Sequence, residues 1–588
     1  MRPAPLFLSA SLLLTLLFPA PAPAAWPALG RDVSAAAGDE EQPVVATDGS
    51  DGAIIVWSSM NATHVNLFAR RVFATGELDP AWPVSGRALL TDAAALLTAA
   101  SGQSLAVIVA DGAGGAIVAW QDGRSPASAG GFDIYAQHVL ASGTVDPAWP
   151  ANGRLLSTAP GRQAFRPNIA ADGAGGAIVA WTDLAASGFT DVYAQHVLNS
   201  GVIDPAWPAA GVALVLSPLD QFFSEIVTDG SGGAIVTWID DRAPANSSDI
   251  FAQRVLNSGV VDPAWPVNGR ALCVAAHDQL NPTITADGAH GAIVTWQDNR
   301  DLSFHIYAQR VLGSGAIAPG WPVDGRAVCT AAPHQKDARI TSDGAGGAIV
   351  TWEDYRHVTN EDPAKTNPFV QHVLASGAID AAWPDNGREL SNAGGEAETI
   401  TIVGDGAGGA IIAWSQDSVV MTHHVKATGV LDPTFPVDGR VMRNLPNAQH
   451  SPDLVVSGHG GAIVAWADGP NDVNFDIYAM NVVTQITSGV DDPARSPGFT
   501  FARPAPNPAQ GPVTLRFALP GNAHVRLAIY DVAGRRVRAI ADRDQATGEH
   551  EIAWDQRDDA GRSVPAGLYF ARMEVKGRVL TQKLITLK

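Results

Sequence analysis

Residues 111–120 read Asp-Gly-Ala-Gly-Gly-Ala-Ile-Val-Ala-Trp, and variants of this stretch occur eight times along the chain. The variants end at a tryptophan about every 58 residues. The glycines suit a hairpin turn with positive φ, and the apolar run suits a strand that is buried on both faces. This repeat length is typical of a four-stranded propeller blade. The eight tryptophans are Trp57, Trp120, Trp181, Trp238, Trp296, Trp352, Trp414 and Trp466.

Two further signatures recur along the chain. Residues 133–140 read Asp-Ile-Tyr-Ala-Gln-His-Val-Leu, whose alternation predicts a strand with one drier face. Residues 146–154 read Asp-Pro-Ala-Trp-Pro-Ala-Asn-Gly-Arg and lead into an outer strand, where proline is tolerated. Both signatures recur in the other repeats, so each repeat predicts one complete blade.

The order of the signatures at the two ends predicts how the array closes. The third signature appears at Trp26 before any copy of the first, and it is missing after the last repeat. Such a permuted order closes a ring, because the N-terminal strand completes the last blade. We therefore predict an all-β, eight-bladed β-propeller in which residues 26–35 lie beside residues 476–483.

The N-terminus has the features of a secretory signal peptide over residues 1–25. Arg2 supplies a positive charge, residues 6–18 are apolar, and residues 22–25 offer a small-residue cleavage site. Outside this segment no apolar run is long enough to span a bilayer, so we expect no transmembrane segment in the mature chain. The sequence predicts a secreted or cell-surface protein, exported by a bacterium.

Charge separates the chain into two parts. The formal net charge is −21. Residues 500–588 contain 14 Lys and Arg against 9 Asp and Glu, which is +5 and leaves −26 for the rest. An acidic body of this kind repels phosphates, so we expect no nucleic-acid partner. We predict a propeller over residues 26–488, a linker rich in Pro, Gly, Asp and Ala over 489–511, and a C-terminal domain over 512–588.

The C-terminal part carries a family resemblance. Its ordered motifs are Pro506-Asn507-Pro508, Ile-Tyr-Asp-Val-Ala-Gly-Arg at 529–535, Trp554-Asp555, Asp-Asp-Ala-Gly-Arg at 558–562 and Ala-Gly-Leu-Tyr at 566–569. This set resembles the Ig-like domain of flagellar hook-capping proteins and the C-terminal sorting domains of type IX secretion cargo. The resemblance implies a small Ig-like β-sandwich that sorts or anchors the protein through secretion machinery. The propeller repeats resemble those of uncharacterised exported bacterial proteins.

Four repeats place an Asp-x-Arg motif directly after the tryptophan strand. A ring of these side chains around one mouth of the channel would bind a polyanion or a sugar. The alternative is an ion pair that fastens the loops of each blade, and the repetition of the motif favours this alternative. The candidate ligand-binding residues are Asp122, Arg124, Asp240, Arg242, Asp298, Arg300, Asp354 and Arg356.

No other residues point to catalysis, a metal or a cofactor. The Asp of each Asp-Gly turn (Asp111 is one case) is a single carboxylate, whereas Ca²⁺ needs several, so we interpret it as a turn former. Scattered histidines such as His290 and His305 lack metal spacing. Cys273 and Cys329 occupy equivalent positions in neighbouring repeats, and we predict two buried free thiols.

The sequence therefore predicts a secreted or surface-displayed propeller that binds a ligand or acts as a scaffold, with no catalytic residue, metal or cofactor assigned. Its ligand would be a protein or a glycan. The alternative is a carbohydrate-active enzyme, a glycoside hydrolase or lyase, with two carboxylates at the channel mouth. The sequence leaves this alternative open, along with the identity of the ligand.

Overall fold

The structure is a computed structural model. It describes residues 26–34, 38–60, 65–90, 102–124, 132–156, 162–184, 188–242, 247–358, 365–445, 447–458, 460–469, 474–482, 500–501, 509, 511–519, 522–531, 535–546, 548–575 and 578–587. The chain divides into two compact units, Met1–Ile486 and Thr487–Lys588. The predicted signal peptide and most of the predicted linker lie outside the described residues.

The described residues of the first unit form strands that follow one another in sets of four. In chain order they are β1 (Arg31–Asp32), β2 (Asp39–Thr47), β3 (Ala53–Met60), β4 (Val65–Val72), β5 (Arg87–Ala88), β6 (Gln103–Ala110), β7 (Ala116–Asp122), β8 (Asp133–Val139), β9 (Arg154–Leu155), β10 (Arg162–Ala171), β11 (Ala177–Leu184), β12 (Thr190–Val197), β13 (Val212–Ala213), β14 (Gln221–Thr228), β15 (Ala234–Asp240), β16 (Asp249–Val255), β17 (Arg270–Cys273), β18 (Gln279–Ala286), β19 (Ala292–Asp298), β20 (His305–Val311), β21 (Arg326–Cys329), β22 (Gln335–Ser342), β23 (Ala348–Asp354), β24 (Asn367–Val373), β25 (Arg388–Glu389), β26 (Ala397–Gly404), β27 (Ala410–Gln416), β28 (Val419–Val425), β29 (Arg440–Val441), β30 (Ala448–Ser457), β31 (Gly461–Gly469) and β32 (Asp476–Val482).

These strands form eight antiparallel four-stranded sheets within the described part of the unit. Seven sheets are consecutive, from β2-β3-β4-β5 to β26-β27-β28-β29, and the eighth has the order β1-β32-β31-β30. The first strand of each consecutive sheet packs against the first strands of both neighbouring sheets, and β2 packs against β30. The eight first strands therefore enclose a central channel, which confirms the predicted eight-bladed β-propeller.

The N-terminal strand closes the ring as predicted. Arg31 pairs with Ala479, and Asp32 pairs with Tyr478. The Ser34 hydroxyl accepts a hydrogen bond from the Ile477 amide at 2.9 Å, and the backbone of Val33 bonds to the same residue. Since β1 belongs to the eighth sheet and β2 to the first, residues 33–38 join the two ends of the ring.

The three repeated signatures meet in the core of each blade. Trp120 is fully buried and stacks on Tyr135 of the neighbouring strand, with ring centroids 6.2 Å apart. Gly153 of the third signature has φ +79°, and a Cβ there would lie 2.8 Å from the Trp120 ring. At the closure, Gly30 makes the same approach to Trp466 of the last blade. Only glycine combines this backbone conformation with contact to the indole.

The turn aspartates are fastened within the blades. The Oδ1 atom of Asp111 accepts the amides of Ala113 and Gly115 at 2.7 and 2.8 Å. Its Oδ2 atom contacts His138, which also contacts Asp146 of the third signature. An Arg or His bridges equivalent carboxylates in other blades. Both carboxylate oxygens are therefore engaged by the blade itself, in keeping with a turn-forming role.

The two cysteines are buried and unbonded to each other. Cys273 and Cys329 end equivalent strands of neighbouring blades, and their exposed fractions are 0% and 1%. Burial raises the pKa of the Cys329 thiol to about 12, so it remains protonated at neutral pH. Both cysteines are buried free thiols, as predicted, and each Sγ atom accepts a hydrogen bond from an arginine, Arg300 at 3.3 Å for Cys273 and Arg356 at 3.4 Å for Cys329.

The second unit contains seven described strands in two sheets. They are β33 (Thr500–Phe501), β34 (Val513–Leu519), β35 (Ala523–Asp531), β36 (Arg536–Gln545), β37 (Gly548–Trp554), β38 (Gly567–Val575) and β39 (Arg578–Thr586). The sheet orders are β33-β34-β37 and β36-β35-β38-β39. Phe517 and Trp554 of one sheet share a core with Leu527 and Met573 of the other. This packing confirms the predicted small Ig-like β-sandwich.

One buried acid breaks the repeat at the closure. In six blades, the residue two positions after the repeat tryptophan pairs with a glutamine at the start of the first strand. Gln103, for example, pairs with Asp122 and accepts the Leu67 amide of the preceding blade at 2.9 Å. Glu40 occupies this position in the first blade and is fully buried. The pKa of Glu40 is raised to about 7, mainly by burial and to a smaller extent by the nearby carboxylates of Asp476 and Asp32. The six glutamines are Gln103, Gln163, Gln221, Gln279, Gln335 and Gln449.

We expect Glu40→Gln to stabilise the ring at neutral and alkaline pH. Because the pKa of Glu40 is higher in the fold than in the unfolded chain, its stabilising contribution is complete below pH 4.5 and is lost as the pH rises through 7. Glutamine does not ionise, so its advantage in unfolding free energy should be close to zero at pH 4.5 and about 1–3 kcal/mol at pH 8. Differential scanning calorimetry at both pH values measures this difference. Gln103→Glu in the next blade is the matched control and should lose stability with rising pH; an equal effect of Glu40→Gln at both pH values contradicts the assignment.

Candidate ligand-binding site in the central channel

The Asp-x-Arg motifs form compact clusters inside their own blades. Asp298 is fully buried and accepts a hydrogen bond from Trp296 Nε1 at 2.9 Å. Arg300 pairs with both oxygens of Asp298 at 2.7 and 2.6 Å, and its guanidinium lies 3.9 Å from the centre of the Tyr307 ring. Arg300 also donates to the backbone oxygen of Asp324 at 2.7 Å, in the loop before the outer strand. The cluster ties the second, third and fourth strands together.

The other three motifs have the same arrangement around the same backbone positions. The aspartates are fully buried, each accepts an indole N–H, and each arginine covers the aromatic ring of the next strand. These contacts are the ones expected if each ion pair fastens the loops of its own blade. None of the eight residues lines the channel cavities described below. A ligand-binding role therefore remains a prediction for Asp122, Arg124, Asp240, Arg242, Asp298, Arg300, Asp354 and Arg356.

The first strand of every blade has a β-bulge near its start. In β14 the pairing with β15 breaks after Phe222 and resumes at Glu225. Phe223 inside the bulge has φ +52°, and the residues equivalent to it in six other blades have φ between 50 and 53°. A bulge of this kind turns extra side chains away from the sheet. It lies at the end of the channel where the Asp-x-Arg loops are, since Gln221 pairs with Asp240.

The bulges create two rings of side chains. The channel ring consists of the residues at which pairing between the first and second strands resumes after each bulge. The bulge ring consists of the residues two positions before these. The channel ring is Val44, Val107, Asn168, Glu225, Thr283, Arg339, Thr401 and Asp453. The bulge ring is Gln42, Leu105, Arg166, Phe223, Asn281, Asp337, Thr399 and Ser451.

The side chains of these rings differ from blade to blade, whereas the tryptophan, the glycines and the turn aspartates repeat. Each channel-ring residue lies 13 positions before a repeat tryptophan, from Val44 and Trp57 to Asp453 and Trp466. The backbone position is therefore constant, and its chemistry is not. A binding site needs side chains that depart from the repeat, so these rings are the strongest candidate for one.

Two cavities lie in the channel at this level. The first has a volume of 320 Å³ and is lined by ring residues of the third to sixth blades, among them Glu225, Asp337 and Arg339. The second has a volume of 340 Å³ and is lined by ring residues of the other four blades and by Arg339. Arg339 thus faces both cavities, and the volumes are in the range of small-molecule sites.

The first cavity combines a half-buried acid with two arginines. Burial raises the pKa of Glu225, although Arg339, Arg166 and a hydrogen bond from Asn168 oppose this effect. Burial also raises the pKa of Glu353, a carboxyl group that interacts electrostatically with Arg339, to about 8. The cavity therefore presents charges of both signs in a partly desolvated setting.

The carboxylate of the second cavity, Asp453, is hydrogen-bonded to the backbone where the ring closes. Asp453 accepts the Val45 amide through Oδ2 and the Leu454 amide through Oδ1, both at 2.9 Å. Burial raises its pKa to about 6 in spite of these bonds. Because Val45 belongs to the first blade and Asp453 to the last, this carboxylate holds the two ends of the ring together. Its two oxygens are thereby occupied.

The histidines that interrupt the signatures have local partners. His305 contacts Gln335 at 2.8 Å, and His290 contacts the Asp229 carbonyl at 2.9 Å. His424 takes the place of His138 in the regular Asp-His-Asp bridge, while His423 stands in the Gln137 position. No group of three or more His, Cys, Asp or Glu side chains within the described residues is arranged to hold a metal ion. Glu361 and Asp362, which follow β23 in the sequence, lie outside the described part.

The described chain also contains no helix that is long and apolar enough to cross a membrane.

One protein family and several solved structures are similar to the chain or to parts of it. Residues 507–578 match the FlgD Ig-like domain, which confirms the Ig-like class predicted for the C-terminal region. No curated protein sequence matches the chain. Among solved structures, prolyl oligopeptidase B from Galerina marginata is similar at 10% identity and TM-score 0.38, covering 75% of this chain and 56% of its own. The match thus spans little more than half the length of that protein.

Two further structures are similar over different shares of the chain. An α-L-arabinofuranosidase from Fusarium graminearum matches at 8% identity and TM-score 0.33, covering 54% of this chain and 93% of its own. A protein of unknown function from Dyadobacter fermentans matches at 7% identity and TM-score 0.36, covering 78% of this chain and 98% of its own.

Removal of a buried motif aspartate should destabilise the propeller strongly. Asp298→Ala leaves the Trp296 indole and the Arg300 guanidinium without their partner, and we expect a loss of about 2–4 kcal/mol in unfolding free energy. Asp301→Ala is the matched control, because this carboxylate is 57% exposed and its described contacts are with His305 and with the Ser303 amide, the latter at 3.3 Å; its effect should stay below about 0.5 kcal/mol. Urea unfolding followed by tryptophan fluorescence measures both. Similar effects of the two substitutions would contradict the fastening role.

Proposed function

We propose that this chain is an exported bacterial binding protein whose propeller holds a glycan or a protein ligand at the mouth of its channel. The signal-peptide features of residues 1–25 and the acidic body of the propeller support export. The Ig-like domain would sort or anchor the protein at the cell surface. No nucleic acid, metal or cofactor is part of this proposal.

The observation that carries the proposal is the contrast between repeated and unrepeated positions. The residues that build the blades recur because each blade needs them. In contrast, Glu225 and Arg339 are the single Glu and Arg of the channel ring, and Asp337 and Arg166 are the single Asp and Arg of the bulge ring. These four side chains line one cavity. A structural repeat has no need for this variety, and a specific ligand does.

The surface of the Ig-like domain supports a role in sorting or anchoring. Arg535 and Arg562 pair with Asp531 and Asp558 across two similar turns, and both arginines are about 80% exposed. The arginines of these turns are balanced by their aspartate partners, whereas residues 500–588 as a whole carry a net charge of +5 on a chain that is otherwise acidic. A positive net charge suits an acidic partner in the export or anchoring machinery.

A carbohydrate-active enzyme is the second candidate. Glu225 and Asp337 are two of the three carboxylates among the ring positions, and both line the first cavity, whereas Asp453 lines the second. Burial raises the pKa of Glu225, as a general acid requires, although Arg339 and Arg166 oppose this effect. A hydrolase would use one carboxylate as the acid and the other as a base or nucleophile.

Ligand binding can be tested with the full mature chain, residues 26–588. Glycan and extracellular-protein arrays identify a ligand, and isothermal titration calorimetry then measures its dissociation constant. We expect saturable binding, which Glu225→Gln and Arg339→Ala each weaken by roughly tenfold or more, because each removes a hydrogen-bonding group with charge from the cavity. Lys426→Ala, at the opposite end of the blades, is the control and should leave the affinity unchanged. Saturable binding that neither channel variant alters would refute the proposal.

The same ligand separates binding from catalysis. If the protein only binds, incubation of a bound glycan should release no new reducing ends. Release of new ends that Glu225→Gln abolishes, with binding retained, would instead establish the enzymatic candidate.

A further inference from the structure

The first channel cavity has a composition that selects among ligands. It lies between the third and sixth blades, and its volume of 320 Å³ suits a small ring or one unit of a larger chain. Its side chains include two guanidiniums, two carboxylates, two amides and an exposed aromatic ring. They are Arg166, Arg339, Glu225, Asp337, Asn168, Asn281 and Phe223.

The charges disfavour an ionic ligand of either sign. A ligand carboxylate would lie close to Glu225 and Asp337, and a ligand ammonium would lie close to Arg166 and Arg339. The guanidiniums already act on Glu225, so their charge is partly neutralised within the cavity. Like charges brought together in a desolvated site cost binding energy, whereas an uncharged ligand avoids this cost.

The polar groups offer both donors and acceptors. The guanidinium of Arg339 donates to the Ala338 carbonyl at 3.0 Å through one of its nitrogen atoms, and its remaining N–H groups are further donors. Asn281 donates to Gln297 at 3.1 Å, and Asn168 donates to the Ser224 carbonyl at 2.7 Å. Carboxylates accept hydrogen bonds when ionised. A ligand rich in hydroxyl groups, each of which donates and accepts, can use both kinds of group.

An aromatic side chain stands at the edge of the cavity. Phe223 is 41% exposed in spite of its size, and the Arg166 guanidinium lies 5.7 Å from its ring centre. The bulge at this position recurs in other blades, but no other member of the bulge ring is aromatic. The ring therefore offers an apolar face next to hydrogen-bonding groups, a combination that suits the C–H face and the hydroxyl edge of a sugar ring.

We propose that the first channel cavity binds one unit of a neutral sugar, with the sugar ring against Phe223 and its hydroxyl groups bonded to Glu225 and Arg339. This inference rests on the proposed function, which leaves the choice between a glycan and a protein open. It goes further in naming the ligand class, the blades that bind it and the aromatic contact.

The inference is tested with the full mature chain and defined saccharides. Isothermal titration calorimetry compares neutral hexose oligosaccharides with oligosaccharides that end in a uronic or sialic acid and with free amino acids. We expect the neutral sugars to bind most tightly. Phe223→Ala should weaken this binding by about tenfold, since stacking on the ring is lost.

Leu105→Ala is the matched control. Leu105 occupies the same bulge position in the second blade, with φ +53°, but lines the second cavity. It should leave sugar affinity within about twofold of the parent protein, because no contact to the first cavity is removed. Circular dichroism and the unfolding temperature establish that both variants fold.

The outcomes separate this inference from the proposed function. Preference for an acidic sugar or an amino acid, or equal loss of affinity in the two variants, overturns the neutral-sugar assignment. Failure of every saccharide, together with a protein ligand whose binding depends on Glu225 and Arg339, also overturns it and leaves the proposed function intact. Binding that no channel substitution alters overturns both.

Discussion

Backbone pairing of Arg31 and Asp32 with Ala479 and Tyr478 joins the two ends of the propeller. The pairing is short, and it is supported by the Ser34 hydroxyl, the Asp453 carboxylate and the approach of Gly30 to Trp466. Because the ring is closed, every first strand has a neighbour on both sides. The channel and its two rings of side chains depend on this closure, since an open array would leave β2 and β30 apart.

The blades assign different work to the two faces of their strands. The repeated tryptophans, aromatic residues and glycines pack within and between blades, and this packing tolerates little variation. The bulge in each first strand places two residues per blade at the channel, and all of them except Val107 line one of the two cavities. Sixteen positions are thereby held by a common backbone while their chemistry is free to differ. This separation explains how one rigid repeat can carry charges, amides and an aromatic ring at a single level of the channel.

The fold could be predicted because its determinants repeat, whereas the candidate site could not. Eight tryptophans and the permuted third signature indicated both the number of blades and their closure. The site residues lie in first strands that have no signature. The residues that depart from the signatures, such as His290 and His305, have local partners instead. The constant spacing from Asn168 to Trp181, and from Glu225 to Trp238, was a readable signal. The role of Arg300 could not be decided from sequence, since an ion pair and a ligand site use the same residue types.

The closing strand also determines when the propeller can finish folding relative to its synthesis. Ser34 and Ile477, which bond to each other, are 443 residues apart. A nascent chain leaving the ribosome therefore carries an unpaired N-terminal segment until the last blade has been synthesised. Contacts this distant are slow to form, because a long loop must close first. The delay keeps the ring open during translation, and the circle is completed only after the last blade has been synthesised.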